Sequence, residues 1–410
     1  MVLTKIFRNV IWLGCGEAAV KGGLLAATML VARGWGPSGL GTFAIGFSAA
    51  LIAVMVLAFG QQEVLIREVA RSPGDARGLL AGADLLQRRL GRWLLPAAAA
   101  AALVVADPQL RLTLLAFIPY AALRTATVTG GAAFKGLDRM DVEARARVIE
   151  VAAAVALIAA GARWGWPVWT AGAAFSLGSG LGLWWLRRRV GVMGKAGQPA
   201  PWRPLAREGL VFMALAVAGQ LLANLDRFLL ALLGVARADI GYWGAAGTIV
   251  WAVIAIPQLL AVAMYPSFSR MAAAAGPRGR VGLAAGLGAA AAGLACGALL
   301  RAVATPLLTL IFGANFEPAV PLLERAALAL PGAFAMMVMG TVFAAWRAQR
   351  TALAIMAAAV AASCMLNLLW IPTLGVAAPA NVAVVAYTAA ALLMAAALFT
   401  IPQRRMAETS

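Results

Sequence analysis

Apolar residues run through nearly the whole chain in stretches of about twenty, separated by short segments rich in Arg, Gly and Pro. A helix of that length, rising 1.5 Å per residue, crosses roughly 30 Å of hydrocarbon. The stretches fall at 10–32, 39–62, 90–106, 110–134, 146–162, 167–186, 209–234, 241–265, 281–312, 319–346, 351–371 and 376–401. They predict an all-α polytopic membrane protein of about twelve transmembrane helices, with 90–106 and 146–162 the shortest. Just before the third stretch, residues 76–92 mix Leu79, Leu80, Leu85, Leu86 and Leu90 with Asp84, Arg88, Arg89 and Arg92. That pattern predicts an amphipathic helix at the membrane surface leading into the span.

One segment breaks the rhythm. RRRVGVMGKAGQPAPWRP (187–204) is basic, rich in Gly and Pro, and has no apolar period. It divides the chain into an N-terminal six-helix lobe (1–190), a linker (191–204) and a C-terminal six-helix lobe (205–410). An even number of spans per lobe gives both lobes the same orientation, as in a parallel repeat. Similar text opens each lobe: Lys21 is followed by VAR (31–33) and GPSGLG (36–41), and Asp226 by VAR (235–237) and ADIG (238–241).

Composition agrees with a membrane chain, at 63% hydrophobic and 12% charged residues with a mean hydropathy of +0.87. The net charge of +18 is explained by placement. With the amino terminus inside, 25 of the 34 Lys and Arg residues fall in cytoplasmic segments and four in outer ones. Such a bias follows the positive-inside rule and predicts both termini in the cytoplasm. The basic excess is therefore topological, with attraction to membrane lipid secondary and nucleic acid no partner. Cys15, Cys296 and Cys364 sit in apolar runs without metal-site spacing, and the chain has no His. Conventional hydrolytic chemistry lacks its usual base, and no cofactor motif is present. GPSGLG (36–41) lacks the Lys-Ser/Thr ending of a phosphate loop, and LGSGLG (177–182) follows no strand. Close helix packing accounts for both.

Charges inside the apolar stretches are the candidate chemistry, because each costs at least about 2.5 kcal/mol in hydrocarbon unless it is paired or wet. Glu17 and Lys21 are one helical turn apart, either neutralising each other or facing a cavity. Asp226 and Arg227 are adjacent, point about 100° apart and need separate partners. The opposite charges at matching depths, Lys21 and Asp226, suggest a salt bridge between lobes. Arg124 is mid-span and expected to face a cavity. Arg301, Glu324 and Arg325 lie nearer span ends, where the two arginines can reach the interface. Lys21, Arg124 and Arg227 form a candidate pyrophosphate or other anion site, since Arg binds phosphate through parallel hydrogen bonds. Glu17 and Asp226 are candidates for ion coupling or an inter-lobe salt bridge. Pro96, Pro119, Pro257 and Pro331 fall within spans and free backbone carbonyls there. Trp12, Trp35, Trp164, Trp166, Trp169, Trp243 and Trp370 read as an interfacial aromatic belt.

Several segments resemble the Wzx-type polysaccharide-repeat-unit flippases of the multidrug/oligosaccharidyl-lipid/polysaccharide exporter superfamily. They are GPSGLGTFAIGFS (36–48) with LIREVAR (65–71), NLDRFLLALLGVARADIGYWGAA (224–246), YPSFSRM (265–271), FGANFEPAVPLLERAALALP (312–331) and NLLWIPTLGVAAPA (367–380). The resemblance implies a MATE-like fold, two six-helix lobes around a central cavity. It also implies translocation of an undecaprenyl-pyrophosphate-linked oligosaccharide by alternating access, for surface polysaccharide synthesis. Implied partners are the lipid-linked glycan, a coupling H+ or Na+, and the polysaccharide polymerase and chain-length regulator. Competing readings are a cation-coupled multidrug exporter, a membrane-embedded glycan polymerase or ligase, and a non-transporting scaffold. The chain lacks the long outer loop and His that a polymerase would bring, and its embedded cations disfavour a cationic drug.

Overall fold

The computed structural model describes residues 2–193, 198–273, 278–346 and 348–399. Of the residues used above, Lys195, Arg347, Arg404 and Arg405 lie outside these, as do the side chains of Lys5, Arg8, Trp12, Cys15, Arg270 and Arg278. Among the described residues the structure is helical, without strands. The first half holds α1 (Val2–Ala58), α2 (Gln61–Arg71), α3 (Ala76–Leu103), α4 (Pro108–Gly136), α5 (Met140–Trp164) and α6 (Trp169–Arg187). The second holds α7 (Trp202–Leu232), α8 (Arg237–Ala273), α9 (Arg278–Ala302), α10 (Ala304–Phe312), α11 (Val320–Ala327), α12 (Leu330–Ala345), α13 (Gln349–Leu374) and α14 (Ala378–Ala397).

All twelve predicted spans coincide with helical segments, and the breaks have local causes. In α1 the chain bends at Gly36, whose φ of 69° suits glycine, and the next residue is Pro37. Asp107 caps α4 by accepting from the Gln109 and Leu110 amides at 2.9 and 3.3 Å, with Pro108 at the first helical position. Gly234, at φ 76°, lies in the turn between α7 and α8. Pro331 is a correction: it opens α12 after a 51° bend from the preceding helical segment, so it starts a helix rather than interrupting one.

Among the described residues, six helical stretches are long and apolar enough to cross a membrane, or seven with the bent pair 314–327 and 330–345. Two of them, Gly16–Ala58 and Gln349–Ala397, contain 43 and 49 residues, about twice one crossing, and each folds at a break. The remainder of the twelve, α3, α5 and α6, are diluted by charge, Gly, Ser and Trp. The surface amphipathic helix and the third span form one continuous α3, whose Leu80, Ala83 and Leu86 are buried.

The chain divides into two compact units, residues 1–220 and 221–410. This boundary lies beyond the linker expected at 191–204, because the linker and the start of α7 are bound to unit 1. The Ala200 amide donates to the Gly78 carbonyl at 2.9 Å, Gln61 Nε2 donates to the Leu205 carbonyl at 3.0 Å, and Arg67 pairs with Glu208. Within unit 1, α4 and α5 both pack on α6, α1 lies against α4 and α5, and α2 and α3 lie against α4. A ring cluster of Phe43, Phe47, Phe117, Tyr120 and Phe175 joins α1, α4 and α6. In unit 2, α12 is central, packed on α8, α9 and α14.

LGSGLG (177–182) does what its small residues suggest. A Cβ at Gly178 would strike the Glu150 carbonyl oxygen, and one at Gly182 would sit 2.8 Å from the Ala146 carbonyl oxygen. Helices α5 and α6 thus meet backbone to backbone. Gly178→Val is expected to lower thermal stability by about 1–3 kcal/mol or more. At Gly340, inside α12 with open space around it, alanine is expected to stabilise by up to about 1 kcal/mol. Melting curves of the two purified variants check the contrast.

Candidate functional site

Unit 1 gathers its embedded charges on three helices. On α5, Glu143, Arg147 and Glu150 follow i, i+4, i+7 spacing and share one face. Arg124 Nη1 on α4 lies 2.7 Å from Glu150 Oε2, and Ser179 Oγ on α6 donates to Glu150 Oε1 at 2.6 Å. Both carboxylate oxygens of Glu150 are therefore satisfied. Lys135 Nζ is 3.1 Å from Glu143 Oε1, and Arg147 Nη1 is 2.5 Å from Glu17 Oε2 and 3.7 Å from Glu143 Oε1. Side-chain exposure falls from 31% at Glu17 to 9% at Glu143 and 4% at Glu150, so the pairs run from a partly open end into the packed interior.

This arrangement corrects the sequence reading at several points. Arg124, expected as an anion site facing a cavity, is paired with Glu150 and keeps 18% side-chain exposure. Glu17, considered for a salt bridge between lobes, has Arg147 of its own unit as partner. Lys135 and Arg147, counted among cytoplasmic cations, belong to the internal network, and Glu143 and Glu150 were overlooked. The embedded charge of unit 1 is thus nearly balanced, with Lys21, Arg124, Lys135 and Arg147 against Glu17, Glu143 and Glu150. Periodicity held the missing signal, since Glu143, Arg147 and Glu150 stand on one face of a helix that soon turns wholly apolar. Lys21 itself is half-buried on α1.

The polar site of unit 2 is built by α7, α8 and α14. Asp226 Oδ2 accepts a hydrogen bond from Trp243 Nε1, and its Oδ1 accepts from the Arg227 amide at 2.9 Å. Arg227 Nη1 donates to Asn224 Oδ1 at 2.6 Å, and a Cβ at Gly247 would approach Arg227 Nη2 to 3.2 Å. The absence of a side chain at Gly247 makes room for the guanidinium. Beside these groups lies a cavity of about 50 Å³, with Asp226, Arg227, Trp243, Trp251 and Tyr387 in its wall. That volume holds a few waters or a cation and excludes a sugar. Trp243, expected in the aromatic belt, is buried and serves Asp226 instead. Arg301 and Arg325 are exposed, Glu324 is half-buried, and none of the three lines this cavity. Among the described residues, no group of three or more His, Cys, Asp or Glu side chains is placed to hold a metal ion.

Comparison with known proteins gives these sites a context. A family model described as "Polysaccharide biosynthesis protein" matches residues 6–272. No curated protein sequence matches the chain. Among solved structures, the chain resembles an inward-facing multidrug resistance MATE family transporter of the MOP superfamily at 16% identity and a TM-score of 0.74, covering 98% of this chain and 99% of the other. It also resembles the lipid II flippase MurJ in an inward closed conformation at 12% identity and a TM-score of 0.76, over 96% of this chain and 88% of that one. A MOP superfamily transporter from Pyrococcus furiosus, described as having a binding pocket of reversed polarity, aligns with a TM-score of 0.68 at 15% identity over 97% and 95% of the two chains. The fold is MATE-like.

Because Glu150 and Arg124 neutralise each other, removing one leaves the other charged and dry. Arg124→Gln and Glu150→Gln are each expected to destabilise by about 3–5 kcal/mol, and the double variant by much less than their sum. Thermal unfolding of the purified variants in detergent measures the coupling; additive losses would refute it.

Proposed function

Since the chain belongs to the polysaccharide biosynthesis protein family and has a MATE-like transporter fold, we propose that it is a flippase carrying undecaprenyl-pyrophosphate-linked oligosaccharide across the bacterial inner membrane by alternating access. The observation that carries this reading is the state of the embedded cations. They are held against carboxylate and amide oxygens inside apolar helices, where an arriving phosphate can take over their N–H donors. A guanidinium has five such donors, so Arg124 and Arg227 can each hold their protein partner through one edge and offer another to a pyrophosphate oxygen. Lys21 adds a third cation on the unit 1 side. Binding of this kind exchanges one anionic partner for another. Such exchange avoids leaving a bare charge in hydrocarbon.

Asp226 is the coupling group in this mechanism. Its carboxylate borders a cavity with room for H+ or a small cation such as Na+, and the Trp243 indole and Arg227 amide fix its orientation. Glu17, the most exposed member of the unit 1 network, is the pair most readily opened. The polysaccharide polymerase and chain-length regulator act on the product at the outer leaflet.

In cells that depend on this protein for surface polysaccharide, Arg227→Ala and Asp226→Asn are expected to cut export at least about tenfold while protein stays in the membrane. Lipid-linked repeat units should then accumulate on the cytoplasmic leaflet, measured by their inaccessibility to an external glycosidase. Arg227→Lys keeps the charge but loses the two-pronged geometry and is expected to fall between wild type and alanine. Intact polysaccharide with altered dye efflux would assign the chain to drug export instead.

A further inference from the structure

A second cavity lies within unit 1, away from the ion-pair network. It measures about 480 Å³, within the range of small-molecule sites, and is walled by the end of α1, by α3, α4 and α6. Its lining has two characters. Leu57, Leu95, Pro96, Leu123 and Leu183 supply apolar wall, and Arg88, Arg92 and Arg187 supply guanidinium groups against a single carboxylate, Asp84. Asp84, Arg88 and Arg92 are four residues apart along one face of α3.

These arginines differ from many other cations of the unit. Arg124, Lys135 and Arg147 each meet a carboxylate, Arg67 meets Glu68 and Glu208, and Arg89, Arg188 and Arg189 lie over the rings of Trp202, Trp184 and Trp185 at 4.8, 3.9 and 4.5 Å. Among the described residues, Arg88, Arg92 and Arg187 make neither an ion pair nor a hydrogen bond; Arg88 and Arg187 feel only the field of Asp84. Like charges one turn apart on a helix repel each other, so Arg88 and Arg92 favour an anion between them. Beside them on α3, Trp93 is 76% exposed and Leu94 is also exposed, as befits a surface that faces lipid in a membrane-spanning protein.

We propose that this cavity binds the phosphodiester headgroup of an anionic glycerophospholipid, its glycerol and upper acyl chain lying against the leucines and Pro96. A free inorganic anion would use the arginines alone, whereas a lipid uses both characters of the wall. The pocket's excess of two positive charges matches a headgroup with two phosphodiesters, which favours cardiolipin over phosphatidylglycerol. Burial raises the Asp84 carboxyl above its ordinary range despite Arg187 and Arg88, which weakens the one group that opposes an anion. The site stands apart from the proposed glycan pathway. It gives this chain a structural or regulatory lipid whichever substrate it carries.

The full chain, purified in neutral detergent, would be titrated with cardiolipin, phosphatidylglycerol, phosphatidylcholine and inorganic pyrophosphate, with bound lipid read by native mass spectrometry. Cardiolipin is expected to bind tightest, phosphatidylglycerol more weakly and phosphatidylcholine at background, while pyrophosphate binding, proposed above for Arg124 and Arg227, should be unchanged in variants of this pocket. The double variant Arg88→Gln/Arg92→Gln should lose at least about tenfold in cardiolipin affinity. Asp84→Asn, which removes the opposing charge, should bind more tightly than wild type, so the test holds even where the arginine variant folds poorly. Arg301→Gln, exposed in unit 2, serves as the charge control and should bind as wild type does. Equal affinity of wild type and both pocket variants for cardiolipin would overturn the proposal, as would phosphatidylcholine binding as tight as that of cardiolipin, or loss of pyrophosphate binding in the pocket variants.

Discussion

The cost of a charge in hydrocarbon governs this structure. A lone ion amid apolar helices costs at least a few kcal/mol, and Glu17, Arg124, Glu143, Arg147, Glu150, Asp226 and Arg227 are each held by a specific partner. Glu150 illustrates the principle at its strictest: at 4% side-chain exposure it receives a guanidinium on one oxygen and a serine hydroxyl on the other. Gly178, one residue before that serine, lets α6 approach α5 closely enough for the hydroxyl to reach. Packing and electrostatics are therefore one problem. The small residues bring the helices together, and the closeness completes the hydrogen bonding.

Unit 2 meets the same constraint with other means. Its acid, Asp226, is held by neutral N–H donors, one from an indole and one from the backbone, and its base, Arg227, rests on an amide oxygen. Unit 1 relies on carboxylate–cation pairs and unit 2 on dipoles. In unit 2 the carboxylate is held by dipoles beside a small cavity, with Arg227 as its neighbouring cation, which suits exchange with a proton or cation. A site built from ion pairs suits exchange with an anion. The proposed transport cycle draws on that difference.

Much of the fold was legible in the chain because hydrocarbon imposes a simple rule on length and apolarity. Runs of about twenty apolar residues marked the helices, and Gly36, Pro37 and Asp107 marked bends and starts. The helix weakly predicted near 146–162 turns Arg147 and Glu150 inward, so its hydropathy understates its burial. The candidate site was legible only in part. Asp226, Arg227, Glu17 and Arg124 stood out as charges in apolar text, but Asp226, Arg124 and Glu17 find side-chain partners 17, 26 and 130 positions away, a relation that periodicity along one helix does not reveal. Trp243 looked like an interfacial anchor because its place near a helix start fits both roles. Glu143 and Arg147 looked like loop charges because they stand at the polar beginning of α5. The segment 187–204 shows another limit of composition: Ala200, Trp202 and Leu205 hold to unit 1 through backbone and ring contacts that Gly and Pro content does not expose.

The long separations within the ion pairs also impose an order on biogenesis. A ribosome delivers Arg124 to the membrane 26 residues before Glu150, and Glu17 a full 130 residues before Arg147. Until α5 emerges, α1 and α4 hold charges whose eventual partners have not been made, at about 2.5–3.5 kcal/mol for each one near the bilayer centre. Neither helix can settle individually into lipid at its final depth without that cost. Assembly of unit 1 is thus tied to the arrival of its fifth helix, which delivers Glu143, Arg147 and Glu150 together and lets the earlier spans leave a wet or protein-lined vestibule for the bilayer.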